Sequence, residues 1–303
     1  MSGNQQDRVL ERVERILGRI EALIGPGSVT PDWKATAWRW RRRRGGGELQ
    51  AVTHPHRIRL AELRNIDEQK TELERNTRQF ICGLPANNAL LWGSRGTGKS
   101  SLVKALLAEY HDRGLRLIEV EPHDLVDLTD IVELVRGREE RFIVFCDDLS
   151  FEADDASYKA LKAVLDGSVA GPAENVLIYA TSNRRHLLPE YRRENLETRI
   201  VDGEIHHGEA VEEKISLSER FGLWLSFYPF SQDDYLDICH AWLRELGITV
   251  LDEEVRVEAL RYALSRGSRS GRVAWQFARD WAGRKGLEQG KKGDAPLQGE
   301  RPL

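Results

Sequence analysis

Cysteine is scarce in this sequence, and its three cysteines, Cys82, Cys146 and Cys239, lie far apart. An odd number of distant cysteines does not form a disulfide framework, and no CxxC pair or His/Cys spacing typical of zinc is present. We therefore expect free thiols in a reducing, cytoplasmic compartment, with Cys146 buried inside an apolar run.

Long hydrophobic runs are also missing, since no apolar stretch approaches the roughly 20 residues that a membrane-spanning helix needs. The first residues, MSGNQQDRVLERVERIL, are charged from the start and lack the apolar centre of a signal peptide. Charge of one sign is not in excess either, because 45 basic residues stand against 49 acidic ones, a formal net charge of −4. We expect no membrane partner, and nucleic acid could bind only through a local basic patch.

Residues 1–60 predict a helix followed by a basic, tryptophan-rich segment. Apolar residues repeat every seven positions within 4–24, which indicates an amphipathic helix that either docks on its own core or self-associates. Residues 33–44 contain three tryptophans that lead into four consecutive arginines. Such side chains can stack bases and bind phosphates, so we predict a candidate nucleic-acid contact there. The alternative is a solvated charge run beside a tryptophan-rich docking strip.

An alternation of strands and helices follows, and it predicts an α/β core over residues 61–229. Each strand is nearly all apolar, which is typical of a parallel sheet covered by helices on both faces. Beyond Pro229 only helical spacing is found, so residues 230–289 are predicted to form an all-α lid, and the tail at 290–303 to be disordered. The predicted strands are Asn88–Trp92, Leu115–Val120, Phe142–Asp147, Val176–Thr181 and Leu223–Tyr228.

A glycine-rich loop lies between the first of these strands and a helix, and it satisfies the pattern G-x-x-x-x-G-K-[ST] in full. Glycines let successive backbone N–H groups point at phosphate oxygens, and the next helix presents its positive N-terminal dipole to the same anion. Lys99 supplies a charge at the β- and γ-phosphates, and the Ser100 hydroxyl can bind Mg²⁺. We therefore predict that ATP or ADP binds with Mg²⁺ at Gly93, Ser94, Arg95, Gly96, Thr97, Gly98, Lys99, Ser100 and Ser101.

The strand Phe142–Asp147 delivers two carboxylates, Asp147 and Asp148, to its C-terminal end. Ligands of open α/β sheets bind at that edge of the sheet. Asp147 is therefore predicted to hold Mg²⁺ together with Ser100, and Asp148 to orient and deprotonate the attacking water. Glu152, on the following segment, is an alternative general base with a longer side chain.

These residues resemble the AAA+ ATPases, a superfamily of the P-loop NTPases. The paired Asp residues also resemble the replication-initiator and helicase-loader branch. The resemblance implies a parallel sheet of about five strands, flanked by helices and followed by a helical lid. More narrowly, residues 66–277 are similar to a bacterial family of AAA+ proteins of unassigned function, through Ile66–Lys70, Leu91–Ser101, Asp147–Glu152 and Ser216–Phe230.

The resemblance also implies two sensor residues and one residue that acts on a neighbouring subunit. Asn183 matches sensor 1, which helps to position the attacking water. Arg272 matches sensor 2, which reaches the γ-phosphate from the lid, and Arg269 is its alternative. Arg220 matches the arginine finger, with Arg192–Arg193 as competing candidates. A finger stabilises the charge that develops on the phosphoryl group in the next subunit, so we expect a homo-oligomer.

The leading hypothesis is a Mg²⁺-dependent ATPase that assembles through Arg220 and remodels or loads a protein or nucleic-acid partner. The alternative is a nucleotide-gated binding protein with little turnover, since the base position holds Asp where many AAA+ members have Glu. No clear aromatic-Gly pore-loop motif is found, which argues against an unfoldase that threads proteins. A small-molecule kinase is disfavoured by the C-terminal helical lid.

Overall fold

The computed structural model describes residues 30–43, 46–55, 58–151, 156–166, 171, 173–183, 199–201, 204–206, 219–288 and 290. The helix predicted over residues 4–24 and nearly all of the predicted tail lie outside the described residues. The domain boundaries at residues 60, 229 and 289 stay predictions. Among the described helices, none is long and apolar enough to cross a bilayer.

Nine strands are found among the described residues: β1 (Ala37–Arg43), β2 (Gly46–Ala51), β3 (Ala89–Gly93), β4 (Leu115–Glu119), β5 (Arg141–Cys146), β6 (Val176–Ser182), β7 (Arg199–Val201), β8 (Glu204–His206) and β9 (Leu223–Phe227). Seven of them form one sheet, in the order β2-β1-β4-β5-β6-β3-β9. Every neighbouring pair in this sheet is parallel except β1 and β2, which are antiparallel. The short strands β7 and β8 form a separate antiparallel pair.

The five predicted core strands are confirmed as β3, β4, β5, β6 and β9. Their nearly unbroken apolar sequences fit the sheet interior, where Phe142, Ile143, Val144 and Phe145 of β5 are fully buried. Helices cover both faces of the sheet, and the sheet separates the core into two apolar clusters. The described α-helices of this layer are α1 (Asp67–Ile81), α2 (Lys99–Tyr110), α3 (Leu128–Val135) and α4 (Ala156–Asp166).

Two further strands, β1 and β2, extend the sheet beyond the predicted count and come from the tryptophan-rich segment. Trp38 is 1% exposed and Trp40 is also buried, so these rings are part of the core. Trp33 packs against Trp38 and lies under the guanidinium of Arg138, 3.9 Å from its ring centroid. The tryptophans therefore pack inside the protein instead of stacking on bases.

The arginines of β1 are matched by acids of the same chain. Ion pairs join Arg39 to Glu119 at 2.8 Å, Arg41 to Glu121 at 2.8 Å, Arg42 to Asp127 at 3.6 Å and Arg43 to Glu48 at 2.6 Å. These pairs neutralise most of the positive charge on which the nucleic-acid prediction for residues 33–44 depended. The structure favours the alternative prediction of a docking strip, now seen as the edge of the sheet.

The predicted lid consists of three helices, α5 (Gln232–Glu245), α6 (Glu253–Arg266) and α7 (Gly271–Glu288). Their ends carry local signals: Ser231 and Asp234 form a capping box before α5, and Gly267 in the left-handed conformation ends α6. Buried lid residues share one apolar cluster with α1 and α2. The lid thus lies next to the loop between β3 and α2.

Candidate functional site

The loop between β3 and α2 has a backbone that only glycine can adopt at its first position. Gly93 has φ of 127°, and a Cβ there would lie 2.0 Å from the carbonyl oxygen of Phe227. The same oxygen accepts a hydrogen bond of 2.9 Å from the Ser94 N–H, which ties the loop to β9. At the other end, Gly98 has φ of 100° and immediately precedes α2. The helix N-terminus therefore faces the loop, as a phosphate cradle requires.

Lys99, the first residue of α2, folds back over this loop. Its Nζ donates to the carbonyl oxygens of Gly93 (2.8 Å) and Ser94 (2.7 Å), and to Oδ1 of Asn183 (3.3 Å). The pKa of Lys99 is lowered to about 8, mainly because the ammonium is buried; the acid pair opposes this shift, and the nearby Arg95 and Arg272 add to it. This cation lies in a site that already carries positive charge, which is the electrostatics that an anionic ligand needs.

The two halves of the predicted metal site are in direct contact. Ser100 Oγ donates to Oδ1 of Asp147 at 2.6 Å, which joins α2 to the end of β5. Among the described residues, no group of three or more His, Cys, Asp or Glu side chains could hold a metal by itself. Magnesium in nucleotide sites commonly takes one or two protein ligands and completes its shell with phosphate oxygens and water. A hydroxyl and a carboxylate beside a phosphate cradle fit that pattern.

Asp148, the predicted base, has an unusual backbone and an occupied carboxylate. Its φ is 54°, a left-handed conformation that Asp tolerates better than most residues. Oδ1 of Asp148 accepts a hydrogen bond from Nδ2 of Asn183, and Oδ2 lies 4.0 Å from the Arg95 guanidinium. The predicted base and the predicted sensor 1 are therefore direct partners.

Thr181 is a site residue that the sequence prediction missed. Its hydroxyl donates to Oδ1 of Asp147 at 2.6 Å and accepts the N–H of Asp148 at 2.9 Å. The available signal was a hydroxyl residue near the end of an apolar strand, two positions before Asn183. Its meaning depended on β6 lying next to β5, with Ala180 opposite Cys146.

A cavity of about 870 Å³ opens over these groups, and its lining is of two chemical kinds. The polar part includes the loop, Lys99 and the acid pair. The apolar part comes from residues 58–66 and from the lid, where the rings of Trp242 and Trp275 lie 4.6 Å apart between centroids. A ligand with a flat apolar part and a polyanionic tail matches both parts of the lining. The apolar lining residues are Ile58, Leu63, Ile66, Phe230, Ile238, Trp242 and Trp275.

The start of α7 brings the lid into contact with the loop. Gly271 N–H donates to the carbonyl oxygen of Gly96 at 2.8 Å, and the following Arg272 lines the cavity. Arg269 is exposed and lies outside the described lining of the cavity. Of the two predicted sensor 2 candidates, Arg272 is therefore the one that lines the cavity.

Arg220, the predicted finger, lies away from this cavity. Its Nε donates to Oδ1 of Asp166 at the end of α4, and it is outside the described lining of the cavity. Glu152, Arg192 and Arg193 fall outside the described residues. The structure thus brings Lys99, Ser100, the acid pair, Asn183 and Arg272 to one place, and leaves Arg220 elsewhere on its own chain.

The sheet order, the glycine-rich loop and the helical lid together match the AAA+ type of P-loop fold, as the sequence predicted. The model of one protein family matches residues 33–285. The chain belongs to this family, which is described as "Protein of unknown function (DUF815)".

Similar proteins of known structure share the fold. Two variants of RuvB from Thermotoga maritima superpose with a TM-score of 0.52 at 15% and 14% identity. The matches cover 78% and 77% of this chain, and 68% and 66% of the RuvB chains. The large subunit of replication factor C from Sulfolobus acidocaldarius is 29% identical over 113 residues, which is 35% of this chain and 26% of that protein. The chain therefore matches only about a quarter of that relative.

Proposed function

We propose that the chain binds and hydrolyses ATP with Mg²⁺, and that it uses the cycle to remodel or load a partner. The observation that carries this proposal is the hydrogen bond of 2.6 Å between Ser100 and Asp147. It joins the phosphate loop to the acid strand at the mouth of one cavity, where a phosphate chain and a metal ion have to meet.

Each residue of the site has a role in this proposal. Backbone N–H groups of the loop and the Lys99 ammonium bind the phosphates. The base of the nucleotide contacts the apolar part of the cavity lining. Bound Mg²⁺, held by Ser100 and Asp147, would neutralise charge on the β- and γ-phosphate oxygens. Asp148 accepts a proton from the attacking water, and Asn183 holds that water in line. Arg272 reaches the same phosphates from the lid.

The Asp148–Asn183 contact favours a second candidate, a nucleotide-gated switch with little turnover. In the described conformation the carboxylate of Asp148 is engaged by Asn183 and approached by Arg95. We infer that this contact competes with the attacking water for Oδ1 and weakens Asp148 as a base. If nothing releases it, ATP binding alone sets the conformation of the lid.

We further propose that Arg220 completes the site of a neighbouring subunit in a homo-oligomer. Arg220 is not among the described residues that line the chain's own cavity, and this position supports action in trans. The bond to Asp166 holds the guanidinium near the start of β9 in the single chain. On assembly, Arg220 would exchange this acid for the phosphates of the next subunit.

The first experiment measures ATP binding and hydrolysis by wild type, Lys99→Ala, Asp148→Asn and the exposed-lysine control Lys159→Ala. Loss of the Lys99 charge is expected to weaken ATP binding by roughly 10–100-fold, the cost of about 1.5–3 kcal/mol for a charge-assisted hydrogen bond. Asp148→Asn is expected to bind ATP normally and to hydrolyse it about 10²–10⁴-fold more slowly. Lys159→Ala should match wild type.

Mixing two inactive variants then tests the finger. Asp148→Asn supplies an intact Arg220, and Arg220→Ala supplies an intact base, so a mixed oligomer regains some complete sites. Arg261→Ala is the matched control, since Arg261 is also paired with an acid of its own chain, Glu258. Recovered activity in the mixture supports the shared site. ATP binding without hydrolysis in wild type, with or without DNA or protein partners, would instead establish the switch.

A further inference from the structure

Thr181 connects the two acids of the site through a single hydroxyl. The residue is 1% exposed and lies near the end of β6. The N–H of Asp148 can only donate, so the Thr181 oxygen accepts that bond at 2.9 Å. The hydroxyl proton is then directed to Oδ1 of Asp147 at 2.6 Å. One side chain thus fixes the orientation of a side-chain carboxylate and of the next backbone unit.

The backbone of Thr181 holds the same turn at a third point. Its carbonyl oxygen accepts the N–H of Leu149 at 2.7 Å. The turn formed by Asp147, Asp148 and Leu149 is therefore bonded to β6 on three successive residues. These bonds hold Asp148 in its left-handed conformation, with φ of 54°, which an L residue adopts at a cost.

Two hydroxyls donate to the same oxygen of Asp147, and they differ in what Mg²⁺ does to them. Ser100 is a proposed metal ligand, so its oxygen is required for coordination. Thr181 is buried against the carboxylate and bonds only within the protein. Coordination of Mg²⁺ would fix the position of the Ser100 hydroxyl by the metal, whereas the Thr181 hydroxyl, which is not a proposed ligand, keeps its bond to Asp147 whether or not the metal is bound. Partners of this kind, bonded to a metal ligand and not to the metal, tune metal affinity in other proteins.

We propose that Thr181 is a positioning residue that sets the affinity for Mg²⁺ in the nucleotide complex and orients Asp148 for proton transfer. The inference rests on the proposed function, because it assumes that Asp147 holds the metal. Under this proposal two affinities have different origins. The affinity for nucleotide without metal depends on the loop and Lys99, and the gain in affinity on adding Mg²⁺ depends on Thr181.

The test compares the dissociation constant of ADP in excess Mg²⁺ with that in EDTA, measured by calorimetry on each variant. Thr181→Val removes the hydroxyl with little change of shape, Thr181→Ser keeps it, and Thr181→Ala is a second variant without it. Thr77→Val is the matched control, since Thr77 is fully buried and its hydroxyl bonds to Leu73 and Tyr179 away from the site. The ratio of the two constants is taken on one sample, so a general loss of stability cancels.

We expect Thr181→Val and Thr181→Ala to bind ADP in EDTA as wild type does, and the factor by which Mg²⁺ tightens ADP binding to be about 10–100-fold smaller than in wild type. Thr181→Ser should restore the wild-type Mg²⁺ dependence, and Thr77→Val should never lose it. A wild-type Mg²⁺ dependence in Thr181→Val or Thr181→Ala would overturn the positioning role and leave the proposed ATPase intact. Absence of any Mg²⁺ effect in wild type would overturn the metal assignment and this inference together.

Discussion

Nucleotide affinity should weaken above pH 8, because Lys99 must gain a proton before it can pair with phosphate. In the free protein, burial and the neighbouring arginines lower the pKa of Lys99 to about 8. Bound phosphates add negative charge beside the ammonium, which raises the pKa of Lys99 again and keeps the side chain charged in the complex. Below pH 8 the side chain is charged in both states and binding takes up no proton. Above pH 8 it is neutral in the free protein and charged in the complex.

The size of the effect follows from this difference. Each complex formed above pH 8 consumes up to one proton, so the apparent affinity falls by roughly twofold at pH 8 and about tenfold at pH 9, relative to pH 7. The last proton of a terminal phosphate group leaves at roughly pH 6, so the phosphates of ADP are fully ionised above pH 8, where the effect of Lys99 appears. Two nearby acids oppose the effect of burial on Lys99, so their neutralisation in a variant should move the onset to lower pH.

Calorimetry of ADP binding in EDTA, from pH 7 to pH 9 and in two buffers of different ionisation enthalpy, measures both the affinity and the protons taken up. Lys99→Arg is the control, because a guanidinium stays charged throughout this range even where it binds phosphate less well. A flat affinity in wild type, or the same slope in Lys99→Arg, would show that the titration of Lys99 does not govern binding. Circular dichroism at each pH confirms that the chain stays folded.

Two further predictions concern the scaffold of the site, and both are read from thermal and urea unfolding. Gly93→Ala should cost more than about 3 kcal/mol and abolish ADP binding, because the new methyl meets the Phe227 carbonyl, whereas Gly137→Ala, with φ of 76° and no atom within 4 Å, should cost about 1–2 kcal/mol. Equal losses would contradict the steric argument. Trp38→Ala should cost about 3–5 kcal/mol and the exposed Lys34→Ala less than about 0.5 kcal/mol. A small effect at Trp38 would mean that β1 is not part of the core sheet.

The phosphate loop could be predicted because its function depends on residues that are adjacent in the sequence. Gly93 and Gly98 adopt backbone conformations that favour glycine, and Lys99 places a charge at the start of a helix. The five core strands were predictable for a similar reason, since strands buried on both faces must be apolar along their whole length. Asp147 was placed by its position directly after such a strand.

The tryptophan-rich segment shows where local pattern is insufficient. Alternating tryptophans and arginines fit both a nucleic-acid contact and a strand with one buried face. The choice depended on residues about 80 positions away, since Arg39 pairs with Glu119 and Arg41 with Glu121 only when β1 lies beside β4. Sequence alone did not reveal that neighbour.

The sequence by itself determined the class of this protein, because a phosphate loop, a following acid strand and a helical lid are encoded in short contiguous patterns. Tertiary structure alone decided which residues complete the site. Thr181 reaches Asp147 across 34 positions, and Trp242 and Trp275 meet only when α5 packs on α7. Such contacts depend on strand order and helix packing, which arise from the burial of the whole apolar surface and not from any one segment.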